Sequence, residues 1–183
     1  MMASDTFTKM LEESMPHLRG YAYSLVRNRD AAEDLVQDTL LRAWASRSRF
    51  VQGTNFKAWT FTILRNRFLD QRRRDRFSDT PIDNTVHANL VSAPPQDVVI
   101  YFDEMASAYW RLSPHHRQIL MLVGAMGLGY EEAAQVTGCA VGTVRSRLSR
   151  ARTKLRSTLD AGDNRKQPGH RGAAEFLRAL AAA

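Results

Sequence analysis

A single cysteine, Cys139, stands in 183 residues. No intrachain disulfide and no multi-cysteine metal site can be built from one thiol, and a reducing cytosol suits the composition. Long apolar runs are missing too. None approaches the roughly 20 residues of a membrane helix, so membrane insertion is not expected. The opening stretch MMASDTFTKMLEES carries acids and no apolar core, unlike a signal peptide. Alternating strand patterns and internal repeats are absent. The acids are dispersed, with no carboxylate cluster and no His-Asp constellation, which argues against a nuclease or any other enzyme. Nothing in the composition calls for a metal or cofactor. Residues 78–97 contain no basic residue at all, only three acids together with Pro81, Pro94 and Pro95.

What is present is positive charge. Lys plus Arg number 26 against 19 Asp plus Glu, for a net charge of +7. Such an excess favours a polyanionic partner. Residues 1–77 hold 14 basic and 9 acidic residues, and residues 98–160 hold 8 and 5. The acidic, proline-containing stretch 78–97 reads as a flexible linker between two basic modules, 8–77 and 98–160. Residues 161–183 read as a loose tail.

Both modules read as helical. Leu11, Met15, Leu18, Ala22 and Leu25 recur at steps of three and four, one face of a helix that Pro16 is expected to break or kink. Asp30 is placed to cap a second helix, DAAEDLVQDTLLRAWA, with Leu35, Val36, Leu40, Ala43 and Trp44 on its inner side. A loop at Gly53, Thr54 and Asn55 precedes a third helix over 56–76. Further helices are expected at about 97–111, 114–126, 130–137 and 141–159. The fold class is all-α, two small helical domains joined by a linker.

The second module carries the strongest local signal, YEEAAQVTGCAVGTVRSRLSRARTKL. A short helix stops at Gly138, which can take the left-handed turn. A longer helix follows, with Val141, Val144, Leu148, Ala151 and Leu155 on one face. Thr143, Ser146 and Arg150 lie opposite, flanked by Arg145, Arg147, Arg152 and Lys154. One face anchors the helix and the other offers hydroxyls and guanidinium groups. A helix fits the major groove, where arginine reads guanine with two parallel hydrogen bonds. A merely solvated basic face is the bland alternative. The helix, glycine turn and basic helix in succession favour a helix-turn-helix. Ala140 is a poor cap for that helix. His115 and His116 are adjacent, point about 100° apart and have no further ligand nearby, so they are not read as a metal site. Cys139 is read as a packing residue.

In the first module Glu33, Asp34, Gln37 and Asp38 lie outside the apolar stripe of the second helix. Helix-dipole complementarity explains Glu33 and Asp34. Asp38, two turns in, suggests contact with a basic protein surface. The third helix mixes aromatics with Arg72, Arg73, Arg74 and Arg76. Four arginines in five positions exceed what a helix C-terminus requires and suit phosphates. Phe61, Leu64 and Phe68 share a face and read as core. Trp59 falls on another side and is open to two uses, packing on a neighbouring helix or stacking on a base.

These segments resemble the extracytoplasmic-function group of bacterial sigma factors. DAAEDLVQDTLLRAWA is similar to that group's polymerase-binding segment, GTNFKAWTFTILRNRFLDQRRR to its −10 recognition and melting segment, and LSPHHRQILMLVGAMGLGYEEAAQVTGCAVGTVRSRLSRARTKL to its −35-binding domain. The likeness covers roughly residues 8–160. Within the group, GTNFKAW, LVGAMGLGYEEAA and GCAVGTVRSR most resemble the alphaproteobacterial general-stress-response class. That class is held by a small anti-sigma protein, which a response regulator with a sigma-like domain draws away. The pair His115-His116 and the tail after Asp160 depart from the group's usual pattern.

The resemblance implies an alternative sigma factor that binds core RNA polymerase through its β′ and β subunits and directs it to promoter DNA. It assigns Asp34, Gln37, Asp38 and Arg42 to the β′ coiled coil. It assigns Phe50 and Asn55, in the loop 50–55, to a flipped −10 base. Trp59, Asn66 and Arg67 go to the melted strand, and Arg72, Arg73 and Arg74 to phosphates. Thr143, Arg145, Ser146, Arg147 and Arg150 go to the −35 element. The linker fits, since twenty extended residues reach at most about 65–70 Å and a spacer of about 16 base pairs spans about 55 Å. Two other readings compete. A helix-turn-helix activator would need a sensor or receiver domain, whose parallel sheet is not seen in the pattern. A sigma-mimicking module that binds an anti-sigma need not keep the two arginine clusters.

Overall fold

The computed structural model describes residues 4–75 and 105–163. The expected linker 78–97, Arg76, the start of the helix expected at 97 and the tail beyond 163 lie outside the described residues. The chain divides into two units, and no strand occurs among the described residues.

The first unit is a three-helix arrangement. Helix α1 spans Ser4–Val26 and is not interrupted at Pro16. A proline there removes one hydrogen bond, to the carbonyl of Glu12. Both residues are exposed, so water can serve that carbonyl. Meanwhile Phe7, Leu11, Leu18, Tyr21 and Ala22 are buried and hold the helix on both sides of the proline. The chain leaves α1 through Arg27, whose φ of 55° lies in the left-handed region.

Helix α2 spans Arg29–Ala45, and its cap is Asn28, not Asp30. The Asn28 side-chain oxygen accepts a hydrogen bond from the Ala31 N–H at 2.9 Å. Asn28 has the extended backbone that a cap requires, and Asp30 falls inside the first turn, where its carboxylate complements the dipole. A 3₁₀ turn, Arg47–Arg49, follows. Helix α3 spans Phe56–Asp75.

Two layers of packing join these helices. Leu18, Leu35, Val36, Phe61 and Leu64 are fully buried, with the Tyr21 and Phe61 rings 4.9 Å apart. A second cluster gathers Phe7, Leu11 and Ala43, with Leu40, Phe50, Phe56, Trp59 and Ile63 packed against them. Ion pairs cross between helices among the described residues. Arg19 of α1 meets both oxygens of Glu33 of α2, at 3.0 and 3.1 Å. Arg67 of α3 meets Asp38 of α2 at 2.6 Å.

In the second unit, helical residues 105–110 (α4) lead to helix α5, Pro114–Ile119. Ser113 caps α5 and proline occupies its first turn, both favourable at a helix start. Arg117 secures the turn between these helices. Its Nη1 donates to the carbonyls of Trp110 and Leu112, at 3.1 and 2.6 Å, and its guanidinium lies over the Trp110 ring. The expected single helix 114–126 changes character midway. Residues Leu120–Ala125 form a π-helical turn, with the Met126 N–H donating to the Met121 carbonyl. The widened turn buries Leu120, Leu122 and Gly124, and glycine has no side chain to obstruct it.

Helix α6, Tyr130–Thr137, and helix α7, Val141–Asp163, follow. Glu132 accepts from the Gly129 N–H at 2.8 Å and closes the start of α6. Gly138 has φ 63°, the left-handed turn expected of it. The α7 helix extends to Asp163, past the expected end at 159.

Candidate nucleic-acid interface

Helix α7 is built on its apolar face. Val144, Leu148, Ala151 and Leu155 are at most 2% exposed, so the helix cannot roll without exposing four apolar side chains. That fixes the outward face. Arg145, Ser146, Ser149, Arg150, Arg152 and Lys154 are exposed there, with Thr143 and Arg147 half-buried at its edge. The Ser146 hydroxyl donates to the Thr143 carbonyl at 3.1 Å. The Arg145 guanidinium sits 5.4 Å from the Tyr130 ring centroid and ties the end of the turn to α6. His116 shares this electrostatic neighbourhood. Burial, then the positive charges of Arg150, Arg147 and His115, hold its pKa below the usual histidine range.

The arginine cluster of α3 is exposed at Arg72, Arg73 and Arg74. Arg72 lies over the Phe68 ring at 5.5 Å, and Phe68 itself is only half-buried, less enclosed than the core role expected of it. Arg73 is 4.0 Å from Asp70 and three-quarters exposed, an ion pair of little energetic weight. Asn66 is exposed on the same helix.

Arg67 is different. Its side chain is 14% exposed and committed to Asp38. The structure therefore gives a residue expected on melted DNA and a residue expected on polymerase to one another.

Trp59 and Phe50 are half-buried members of the aromatic cluster. The Trp59 ring lies 5.4 Å from Phe50, 5.7 Å from Phe56 and 6.1 Å from Phe7. Of the two uses open to Trp59, packing is the one observed. Phe50 does the same work at the root of the loop. The loop itself turns at Gly53, with φ 85°. The Val51 carbonyl accepts from both the N–H and the hydroxyl of Thr54, at 3.2 and 2.6 Å.

Asn55 caps α3. Its side-chain oxygen accepts from the Ala58 N–H at 3.2 Å. Asn55→Ala is therefore expected to cost about 1 kcal/mol of stability, and Asn55→Ser, which keeps an acceptor, only a few tenths. Thermal denaturation of the two variants checks this, and equal losses would show that the cap is unimportant.

The acidic face of α2 is smaller than the sequence implies. Glu33 is engaged by Arg19, whose hydrogen bonds hold its carboxyl below the usual range. Asp38 is engaged by Arg67. Asp34, Gln37 and Arg42 are exposed. Among them stands Leu41, 70% exposed, which the sequence reading did not single out. The signal was available: at 100° per residue Leu41 falls opposite the stripe of Leu35, Val36, Leu40 and Ala43. Val51, 66% exposed at the loop, was missed as well.

Residues 10–77 match the family described as Sigma-70 region 2, and residues 110–155 match Sigma-70, region 4. Over 159 residues the chain is 43% identical to the ECF RNA polymerase sigma factor EcfG of Rhodopseudomonas palustris, covering 87% of this chain and 88% of that one. The chain belongs to the ECF RNA polymerase sigma factors. Two solved structures place the fold of this sigma factor among its relatives. One is the sigma factor RpoE from Bartonella quintana in complex with the anti-sigma factor NepR, at 40% identity and TM-score 0.71, over 85% of this chain and 97% of that one. The other is CnrH in complex with the cytosolic domain of CnrY, at 26% identity and TM-score 0.64, over 87% and 90%. As an ECF sigma factor, the protein directs transcription through its region 2 and region 4 domains. No helix among its described residues is long and apolar enough to cross a membrane.

Proposed function

We infer that this sigma factor binds core RNA polymerase through the exposed part of α2. It carries the polymerase to promoters whose −35 element is read by α7, and whose −10 element is opened at the 50–55 loop and the arginine end of α3. It does no covalent chemistry of its own. The observation that carries this reading is α7, where an apolar face at most 2% exposed fixes an outward face of hydroxyls and arginines. A helix so held has the shape and charge for a major groove. Likeness to EcfG and to the RpoE–NepR complex supports a general stress response in the cytoplasm, with an anti-sigma factor as a second partner. The deciding experiment is run-off transcription with core polymerase over a random promoter library. A sigma factor initiates from a defined subset of templates. An activator initiates from none without another sigma, and a mimic that only captures an anti-sigma initiates from none at all.

The loop has its own test. In holoenzyme, Asn55→Ser keeps the cap of α3 and removes the amide donor. Duplex promoter binding is expected to survive while permanganate reactivity of −10 thymines falls. A pre-melted bubble template should restore much of the activity, because unstacking, worth a few kcal/mol per base, is already done. Equal defects on duplex and bubble would remove the loop from the melting step.

A further inference from the structure

We propose that Arg67 is a positioning residue for polymerase binding, acting through Asp38, and not a DNA contact. The proposal rests on the reading of the α2 face given above and deepens it. The observation is a cross-helix pair between residues 29 positions apart, Arg67 Nε to Asp38 Oδ2 at 2.6 Å. The two ends are unequally covered, with the Arg67 side chain 14% exposed and that of Asp38 38% exposed. The guanidinium is thus on the inside of the pair and the carboxylate on the outside. Arg67 Nη1 is buried with no hydrogen-bond partner among the described residues. A buried donor in that state carries a desolvation cost, so the hydrogen bond from Nε to Asp38 is what holds the group in place.

Reaching a phosphate or base would require Arg67 to leave its carboxylate and unbury a side chain packed between α2 and α3. Its neighbours have no such barrier. Asn66, Arg72, Arg73 and Arg74 are exposed already. The pair does something else for α2. Asp38 lies four residues from Asp34 and next to Gln37, on one helix face. A carboxylate has acceptor positions for more than one guanidinium or ammonium group. With Arg67 holding Asp38 from the inside, the acid is presented in one rotamer to a basic partner outside. Side-chain immobilisation is a cost of association, and here the fold has met it before the partner arrives. Removing the holder is expected to weaken core binding about three- to tenfold, the equivalent of freezing one side chain.

The test uses the full chain and core polymerase. Arg67→Met keeps the stem and loses the charge, and Arg67→Lys keeps the charge with poorer geometry. Arg67→Met is expected to lower core affinity about three- to tenfold and Arg67→Lys to recover part of it. In an Asp38→Ala background, Arg67→Met should have no further effect on core affinity, since the acceptor it positions has gone. Titrations run well below each variant's melting temperature keep folding losses apart from binding. An equal loss in both backgrounds would mean that Arg67 acts only through the general fold, and the proposal fails. Tighter core binding would mean that Arg67 sequesters Asp38, and it fails again. A loss confined to single-stranded −10 DNA would return Arg67 to the promoter. If Arg67→Met binds core like wild type while Asp34→Ala does not, the proposal falls and the reading of α2 stands. If Asp34→Ala and Gln37→Ala also bind like wild type, both fall.

Discussion

Replacing Phe7 by alanine is expected to destabilise the region 2 unit by about 3–5 kcal/mol, the usual range for a buried phenylalanine. Phe7 is 2% exposed. Its ring lies 5.4 Å from Phe56 in an edge-on arrangement, 5.9 Å from Trp44 and 6.1 Å from Trp59. Its ring lies against aromatic residues of both α2 and α3. Whole-domain stabilities are only about 5–15 kcal/mol, so the loss is a large fraction of what holds the unit. The functional consequence follows from Phe50, which packs on Phe56 and Trp59. Without Phe7 the cluster loosens and the 50–55 loop loses its footing. Denaturant titration should show the midpoint fall, and promoter opening should decline even under conditions where the variant remains folded. Phe7→Leu fills much of the space and should recover most of the stability. A Phe7→Ala protein with unchanged midpoint and unchanged opening would mean that the aromatic cluster is not what positions the loop.

The second large effect is expected at the other end of the promoter. Arg150→Ala removes an exposed guanidinium from α7 and leaves Val144, Leu148, Ala151 and Leu155 in place beneath it. The fold should be untouched, because arginine and alanine are both good helix formers. Binding to the cognate −35 element should weaken by about 1–3 kcal/mol if Arg150 reads a base. If it touches only phosphate, affinity should fall evenly across sequences and the salt slope should shrink by about one. Titration of cognate and scrambled −35 duplexes at two salt concentrations separates the cases. Unchanged affinity for both DNAs would remove Arg150 from the interface. His116 bears on the same measurement. Its lowered pKa disfavours the charged imidazolium, so the arginines are the firmer source of positive field here.

Helical class was legible because helical periodicity is a local property. Val144, Leu148, Ala151 and Leu155 recur at steps of three and four, and the structure buries all four. Gly138 was legible for a similar reason: a turn between two helices needs one residue in the left-handed region, and glycine enters it without strain. Arg72, Arg73 and Arg74 of α3 and Arg145, Arg150 and Arg152 of α7 could be read as outward-facing because arginines in such density are not buried without partners, and all six are exposed.

What the sequence left open depends on partners far along the chain. Asp38 and Arg67 each look like surface residues awaiting a ligand, and only the packing of α2 against α3 makes them partners. The same packing leaves Asp34, Gln37 and Arg42 as exposed polar groups of that face and Leu41 as an exposed apolar one. Trp59 lies off the main buried stripe of α3, and its cluster is visible only once Phe7 arrives from α1. Asn55 has a side chain that suits a base edge equally well, yet its oxygen is taken by the Ala58 N–H. Pro16 forbids one hydrogen bond, which ordinarily argues against a continuous helix, but tertiary burial on either side of it outweighs that loss. By itself, then, the sequence determined which stretches are helical and where positive charge collects, since both follow from neighbours a few positions away. The tertiary structure alone decided which polar side chains stay available to polymerase and DNA, because a charge is free or spent according to what the fold brings within about 3 Å of it.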